Sequence, residues 1–359
     1  MLNHKKIIEL LYESIPDLKN NDLAVYLEHL AKIIVELEND SAFFNWLEND
    51  PGYPKILTRS LCTIFPLIPY ENQYFSIGID GSQIYPDRHY NISCFLINIA
   101  TIGLEYQNRN PSIIKKTEPF LFTKWDTFSD QVQTNDIVDT ERFLLELESG
   151  LKTIEMHQKK LEIPYIVFID GPLTFWHLFN KSINFQEHFV KKYETLLKMY
   201  EEKKIPIVGY ISKPRSKELM LVTKKYITYK NIKNPAPEGT NNITDSHLLS
   251  LFLKPQHHTI FFSNNKYVAS CYIHTGKEYA RLEIPPWIFK DKKACDFVLS
   301  ATLHQINNGF GYPTILSLAH EFSVIKESDR QLFIKTLHKI LEKEGIEKQM
   351  SAKNISKLL

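Results

Sequence analysis

Residues 164–170 read Pro-Tyr-Ile-Val-Phe-Ile-Asp (PYIVFID) and run into Gly171 and Pro172. A short apolar run of β-branched and aromatic residues, bounded by Pro and Gly, reads as a strand that ends in Asp-Gly. The run 74–80, Tyr-Phe-Ser-Ile-Gly-Ile-Asp, has the same character and ends in Asp-Gly-Ser. Outward from 164–170, apolar residues at helical spacing predict a helix over 183–203, and IPIVGYI (205–211) predicts another strand. Toward the N-terminus, Asp139 or Thr140 is placed to cap a helix through about Leu161. Before it lies a polar stretch rich in Thr, Asp and Gln, preceded by strand candidates at 91–98 and 101–107 with a short break between them.

Three strands, helix, strand, helix, strand predict an α/β protein with a mixed sheet and flanking helices. By analogy this is the strand order of a ribonuclease-H-like fold. After Asn234-Pro235-Ala236-Pro237-Glu238-Gly239, a helix is expected at 245–253 and an inserted strand region at 258–263, 267–273 and 279–284. Helices at 292–307, 313–326 and 329–344 follow. At the other end, Ile7, Ile8, Leu11 and Ile15, then Leu27, Leu30, Ile33, Ile34 and Leu37, give residues 4–48 a helical period. Residues 49–54 (NDPGYP) break it as a turn. The expected division is an N-terminal helical region over 1–69 suited to packing or docking, one catalytic domain over 70–345, and a tail over 346–359.

Composition excludes several classes. The 359 residues are 43% hydrophobic and 24% charged, with 18 Tyr, 22 Phe and only 12 Gly, which suits a folded globular chain and not a disordered one. Net charge is +1, so any contact with nucleic acid needs a local basic surface. Cys62, Cys94, Cys271 and Cys295 are far apart with no CxxC pair, which predicts reduced thiols and neither a zinc site nor a disulfide framework. The N-terminus carries acids within an amphipathic pattern, unlike a signal peptide, and no apolar run reaches the roughly 18 residues a membrane span needs. A cytoplasmic, membrane-free protein is expected. Thr275-Gly276-Lys277 lacks the upstream glycine of a P-loop, and no GxSxG or Cys-His nucleophile pattern stands out.

Two strands ending in Asp80-Gly81 and Asp170-Gly171 would bring two carboxylates together at the carboxyl edge of an open sheet. Side by side they repel, and a hard divalent cation resolves the repulsion. The alternative is that each Asp only starts a turn. On the helix after 139, Phe143, Leu144, Leu147, Leu151 and Ile154 form the core stripe, while Glu141, Glu148, Lys152, Glu155 and Lys159 share a solvated flank. Glu146 lies on the other flank, near Gly150, which makes it the better ligand candidate among Glu141, Glu146 and Glu148. His320 sits in an apolar helical segment and fits a satisfied core histidine as well as a functional one. Between 213 and 233, seven Lys and Arg oppose the single acid Glu218 and interleave with Tyr226 and Tyr229. This makes Lys213, Lys224, Lys225, Tyr226, Tyr229 and Lys230 candidates for a DNA track, with a solvated helix face as the alternative.

From Asp80 to about Arg330 the chain resembles the NurA nuclease family. The pieces are Ile79-Asp80-Gly81-Ser82-Gln83, the Arg142…Glu146 helix, Phe168-Ile169-Asp170-Gly171-Pro172-Leu173, Ile211-Ser212-Lys213, Thr244-Asp245-Ser246, Tyr279 through Pro285, and Gly311-Tyr312-Pro313 with Ala319-His320. Pro172 stands where the family more often has a small polar residue. The resemblance implies a Mn2+-dependent nuclease, with Mg2+ as an alternative ion, held by Asp80, Glu146, Asp170 and His320 as both metal ligands and catalytic residues. Lys213 would be a nearby phosphate contact. It also implies a homodimer around DNA and a HerA-type hexameric translocase as partner, in DNA repair or antiviral defence. A non-catalytic adaptor that binds a DNA motor is the alternative function.

Overall fold

The computed structural model describes residues 2–18, 21–50, 55–56, 60–86, 94–108, 111–124, 134–157, 162–174, 181–233, 243–263 and 265–345. The turn at 49–54, the break at 234–239, the start of the strand at 91–98, the end of the helix expected to reach Leu161 and the tail 346–359 lie partly or wholly outside them.

In chain order the helices α1 (His4–Leu18), α2 (Asn21–Glu38) and α3 (Ser41–Leu47) precede the short strands β1 (Lys55–Ile56) and β2 (Ile64–Pro66). Next come β3 (Tyr74–Ile84), β4 (Phe95–Tyr106), β5 (Ile113–Phe122), α4 (Thr134–His157), β6 (Tyr165–Asp170), α5 (Ile183–Glu202) and β7 (Ile207–Ser212). They are followed by α6 (Glu218–Tyr229), α7 (Asp245–Leu249), β8 (His257–Thr259), β9 (Phe262–Ser263), β10 (Ala269–His274) and β11 (Tyr279–Ile284). The last elements are α8 (Pro286–Lys290), α9 (Lys292–Asn308), α10 (Thr314–Ser323) and α11 (Glu327–Lys343). Two compact units result: Met1–Pro66 with Ser212–Arg281, and Leu67–Ile211 with Leu282–Leu359. The N-terminal helices, expected to stand apart over 1–69, share a unit with the inserted segment.

The unit containing Leu67–Ile211 is built on a mixed sheet in the order β7-β6-β3-β4-β5. β3, β4 and β5 form an antiparallel meander, and β3, β6 and β7 run parallel. This is the mixed α/β sheet with flanking helices that the sequence predicts. Parallel strands need cover on both faces, and Ile166–Ile169 and Ile207–Tyr210 are buried throughout. α4 and α10 pack against β3 and β4. Side chains alternate across a strand, and β3 follows this rule closely. Gly78 and Asp80 face α10, while Ile79 and Gly81 face α4. A Cβ at Gly78 would lie 2.4 Å from the Ile315 carbonyl oxygen, so glycine is what lets α10 close onto the sheet.

In this unit four details differ from expectation. β3, expected to end at Asp80, continues to Ile84. β4 is one continuous strand, where a break was expected between 98 and 101. The third strand of the meander, β5, falls in the stretch expected to be non-strand, because an edge strand exposed on most of its residues needs no apolar alternation. α4 begins at Thr134, five residues before Asp139.

In the other unit, α2 and α3 contribute Tyr26, Leu30, Ile33, Leu37, Phe43 and Phe44 to one apolar core with Leu219, Met220, Val222 and Tyr226 of α6. Asp40 caps α3 by accepting a hydrogen bond from the Phe43 N–H at 2.9 Å, an interaction worth about 1 kcal/mol. The expected strand at 258–263 is split into β8 and β9, with β8 pairing to β2 and β9 to β1. α1 keeps Ile8, Leu11 and Tyr12 exposed. Cys94, Cys271 and Cys295 are buried, and all four cysteines are free thiols. Among the described residues no helix is long and apolar enough to cross a membrane.

Candidate metal centre

The last paired residues of β3 and β6 are Ile79 and Ile169, so the next residues, Asp80 and Asp170, end up side by side. Parallel neighbours in register point the same way; Asp170 ends β6, at the carboxyl edge where ligands gather in open α/β sheets, and Asp80 lies beside it within β3, which continues to Ile84. α10 brings His320 to the same place. One donor atom from each of Asp80, Asp170 and His320 lies within 4.8 Å of the other two.

Asp80 is 6% exposed and its carboxylate is held from two sides. Oδ1 accepts from the Gly81 N–H at 2.9 Å. Oδ2 faces His320 Nδ1 at 2.8 Å and accepts from Ser323 Oγ at 2.7 Å. Asp170 lies at the open rim, yet crowding by surrounding protein raises its pKa, against the opposing effect of a hydrogen bond from the Tyr312 hydroxyl; the Asp80 charge raises it further. Burial likewise raises the Tyr312 phenol, with Asp170 adding to the effect, so Tyr312 is a neutral donor here. Its ring stands edge-on to Tyr210.

Glu146 reaches the site from α4. It is 2% exposed, and a Cβ at residue 81 would fall 2.7 Å from its Oε1 and 2.8 Å from Arg142 Cγ. Gly81 is therefore the opening through which Glu146 approaches β3. Arg142 Nη1 donates to the Gly81 carbonyl at 3.0 Å and lies 3.3 Å from Glu146 Oε1. Burial pushes the Glu146 carboxyl up to about 8; Arg142 opposes the shift, and the charges of Asp80 and Asp170 add to it. The charges of Asp80 and Asp170 thus add to the cost of ionising Glu146, with one guanidinium as partial compensation. Carboxylate oxygens with a single imidazole form a donor set suited to Mn2+ or Mg2+, and a divalent charge would relieve that repulsion.

Sequence reasoning selected Asp80, Glu146, Asp170 and His320. The structure brings Asp80, Asp170 and His320 into one donor cluster, with Glu146 electrostatically coupled beside it. The competing candidates pair with lysines instead, Glu141 with Lys192 at 3.3 Å and Glu148 with Lys152 at 2.7 Å. Tyr312 and Ser323 were not selected. Tyr312 lies in a noted motif but touches Asp170 only through the fold, and nothing in the local sequence marks Ser323.

The basic segment belongs to the other unit. Lys225 pairs with Asp50 at 3.0 Å and Lys230 with Asp40 at 2.7 Å. Tyr226 is 2% exposed with its ring edge-on to Phe43, so it has no face on which a base could stack. Tyr229 packs against Trp46 and Phe43 and stays partly exposed. Lys213 and Lys224 are exposed. The aromatic spacing read as a stacking platform is largely the buried face of α6.

A family model described as the NurA domain matches residues 76–325. A crystal structure of NurA is similar at 13% identity and a TM-score of 0.42, covering 94% of this chain and 97% of that one. A crystal structure of NurA with manganese is similar at 14% identity and a TM-score of 0.40, covering 89% and 96%. A third, NurA bound to dAMP and manganese, covers 74% and 88% at 14% identity and a TM-score of 0.33. A comparison with curated protein sequences finds no match.

Proposed function

The chain belongs to the NurA family, and from that premise we propose that it is a divalent-metal-dependent DNA nuclease whose centre is Asp80, Glu146, Asp170 and His320. The observation that carries the reading is the convergence of Asp80, Asp170 and His320 within 4.8 Å, beside a buried Glu146, inside the matched region. When bound, the ion would polarise the scissile phosphate and lower the pKa of an attacking water. Asp80 would supply oxygen ligands from within β3 and Asp170 from the end of β6, and His320 a ring nitrogen. Glu146, whose protonated form is favoured by burial, would supply a further carboxylate beside the ion in its ionised form. Tyr312 donates to Asp170 and so limits its rotation. Manganese is the proposed ion on the chemistry of this mixed carboxylate and imidazole set, with Mg2+ as the alternative.

The finer proposals rest on the family resemblance: a homodimer around DNA, a HerA-type hexameric ATPase that feeds DNA to it, a cytoplasmic setting, and a role in repair or antiviral defence. Lys213 and Lys224 are the proposed phosphate contacts. End-labelled linear DNA incubated with Mn2+, Mg2+ or EDTA, with and without a cognate motor, tests the whole reading. Cleavage that requires the ion is the expected outcome, and intact DNA under every condition would overturn it.

A further inference from the structure

We infer that Ser323 is a positioning residue of the metal centre, orienting the Asp80 carboxylate and locking the last turn of α10 on which His320 sits. The inference rests on the metal-centre reading above. Ser323 is the final residue of α10 and is 1% exposed. Its hydroxyl lies 2.7 Å from Asp80 Oδ2 and 3.0 Å from the His320 carbonyl. A serine hydroxyl has one proton to donate, and the charged, nearer acceptor is the stronger. Its own carbonyl, at a helix end where carbonyls lack intrahelical partners, accepts from Asn98 Nδ2 at 2.9 Å and from Ser82 Oγ. Ser82 and Asn98 are cross-strand partners on β3 and β4. One residue therefore ties the end of α10 to β3, to β4 and to the Asp80 carboxylate on β3.

The terminal torsion of an aspartate is soft, so an unanchored Asp80 could rotate its oxygens away from Asp170. Oδ2 is instead bonded to two groups from one helical turn, His320 Nδ1 and Ser323 Oγ. That fixes which lone pairs remain for a cation and keeps His320 in step with Asp80. Hydrogen bonds to ligands from residues behind them commonly govern metal affinity, at about 10–100-fold per residue. A residue that only ended a helix would affect folding and leave metal binding unchanged.

The test is calorimetric Mn2+ binding to the full chain, together with thermal melts in EDTA, for wild type, Ser323→Ala, Asn98→Ala and Ser317→Ala. Ser317 is an exposed serine on the same helix. Ser323→Ala is expected to raise the Mn2+ Kd by about 10-fold or more, while Ser317→Ala leaves it unchanged. Asn98→Ala loosens the clasp without touching Asp80 and should shift the Kd in the same direction by less, which keeps the inference testable should Ser323→Ala fail to fold. Wild-type Mn2+ affinity in the folded Ser323→Ala or Asn98→Ala protein would overturn it, whatever happens to the melting temperature. Mn2+ binding by wild type without DNA cleavage would instead sink the nuclease reading and leave this one to stand on the Kd ratio.

Discussion

His320 Nδ1 lies 2.8 Å from Asp80 Oδ2 although 240 residues separate them. The contact exists because β3 presents Gly78 and Asp80 to one face and α10 closes on that face. It engages one ring nitrogen of His320 and leaves Nε2 as the other. Substituting the histidine should therefore act twice, on the ligand set and on the orientation of Asp80. His320→Ala is expected to lower single-turnover cleavage by about 10²-fold or more, in the range of a lost acid–base group or metal contact. Near wild-type cleavage would leave His320 as an exposed histidine that pairs with Asp80 without a part in the reaction.

Asp80→Ala and Asp170→Ala should each reduce cleavage to the EDTA background. Their effect on folding is expected to differ from their effect on catalysis. The ionised form of Asp170 is disfavoured by crowding and by Asp80, so Asp170→Asn in EDTA should melt no lower than wild type. Loss of several degrees in that melt would mean that the carboxylate is structural and the acidic cluster misread.

Glu146→Gln should cripple cleavage while Glu148→Gln leaves it intact. Glu146 is buried beside Arg142, whereas Glu148 makes an exposed pair with Lys152 of the kind worth at most about 1 kcal/mol. A paired assay of the two variants at saturating Mn2+ decides this, and the opposite ranking would refute the assignment.

In the inserted unit, burial pushes the Asp245 carboxyl up to about 6, against hydrogen bonds from Tyr272 and the Met220 N–H, and the nearby Glu218 charge adds to the rise. A carboxyl whose folded pKa is raised favours folding when protonated. Its contribution is fully present below the unfolded value, 3.8, and is lost as pH rises through about 6. Asp245→Asn should remove that segment of the stability curve. Denaturant unfolding at half-unit steps between those limits reads it directly, and an unaltered pH dependence would contradict the assignment.

For DNA binding by catalytically inactive protein, Lys213→Ala with Lys224→Ala should make the slope of log K against log salt shallower by about 1.4–1.8, at about 0.7–0.9 per phosphate contact. Lys230→Ala, whose partner is Asp40, should leave the slope in place. Tyr226→Ala should instead lower stability by about 3 kcal/mol, as for other buried aromatic truncations. A salt series on the three variants separates these outcomes. A slope change confined to Lys230→Ala would place the DNA path on the face of α6 that packs against α3.

The local sequence determined the parts of this protein whose neighbours are close in the chain. The apolar runs ending in Asp80 and Asp170, the helical phase that set Glu146 apart from Glu148, and the alternation of helix and strand all follow from periodicities of two and 3.6 residues. β5 escaped that reading because an exposed edge strand takes its order from the β4 ladder and not from its own apolar pattern. Tertiary structure alone decided which polar residues meet. The Tyr312–Asp170 bond, the Ser323 clasp on Asp80 and the burial of Tyr226 against Phe43 join residues far apart in sequence. Tyr226 and its lysine neighbours share a spacing that suits a DNA track and a packed helix equally. Only the presence of α3, with Asp40 and Phe43 in reach, turned that spacing toward the core, because a helix periodicity says which residues share a face and not what covers it.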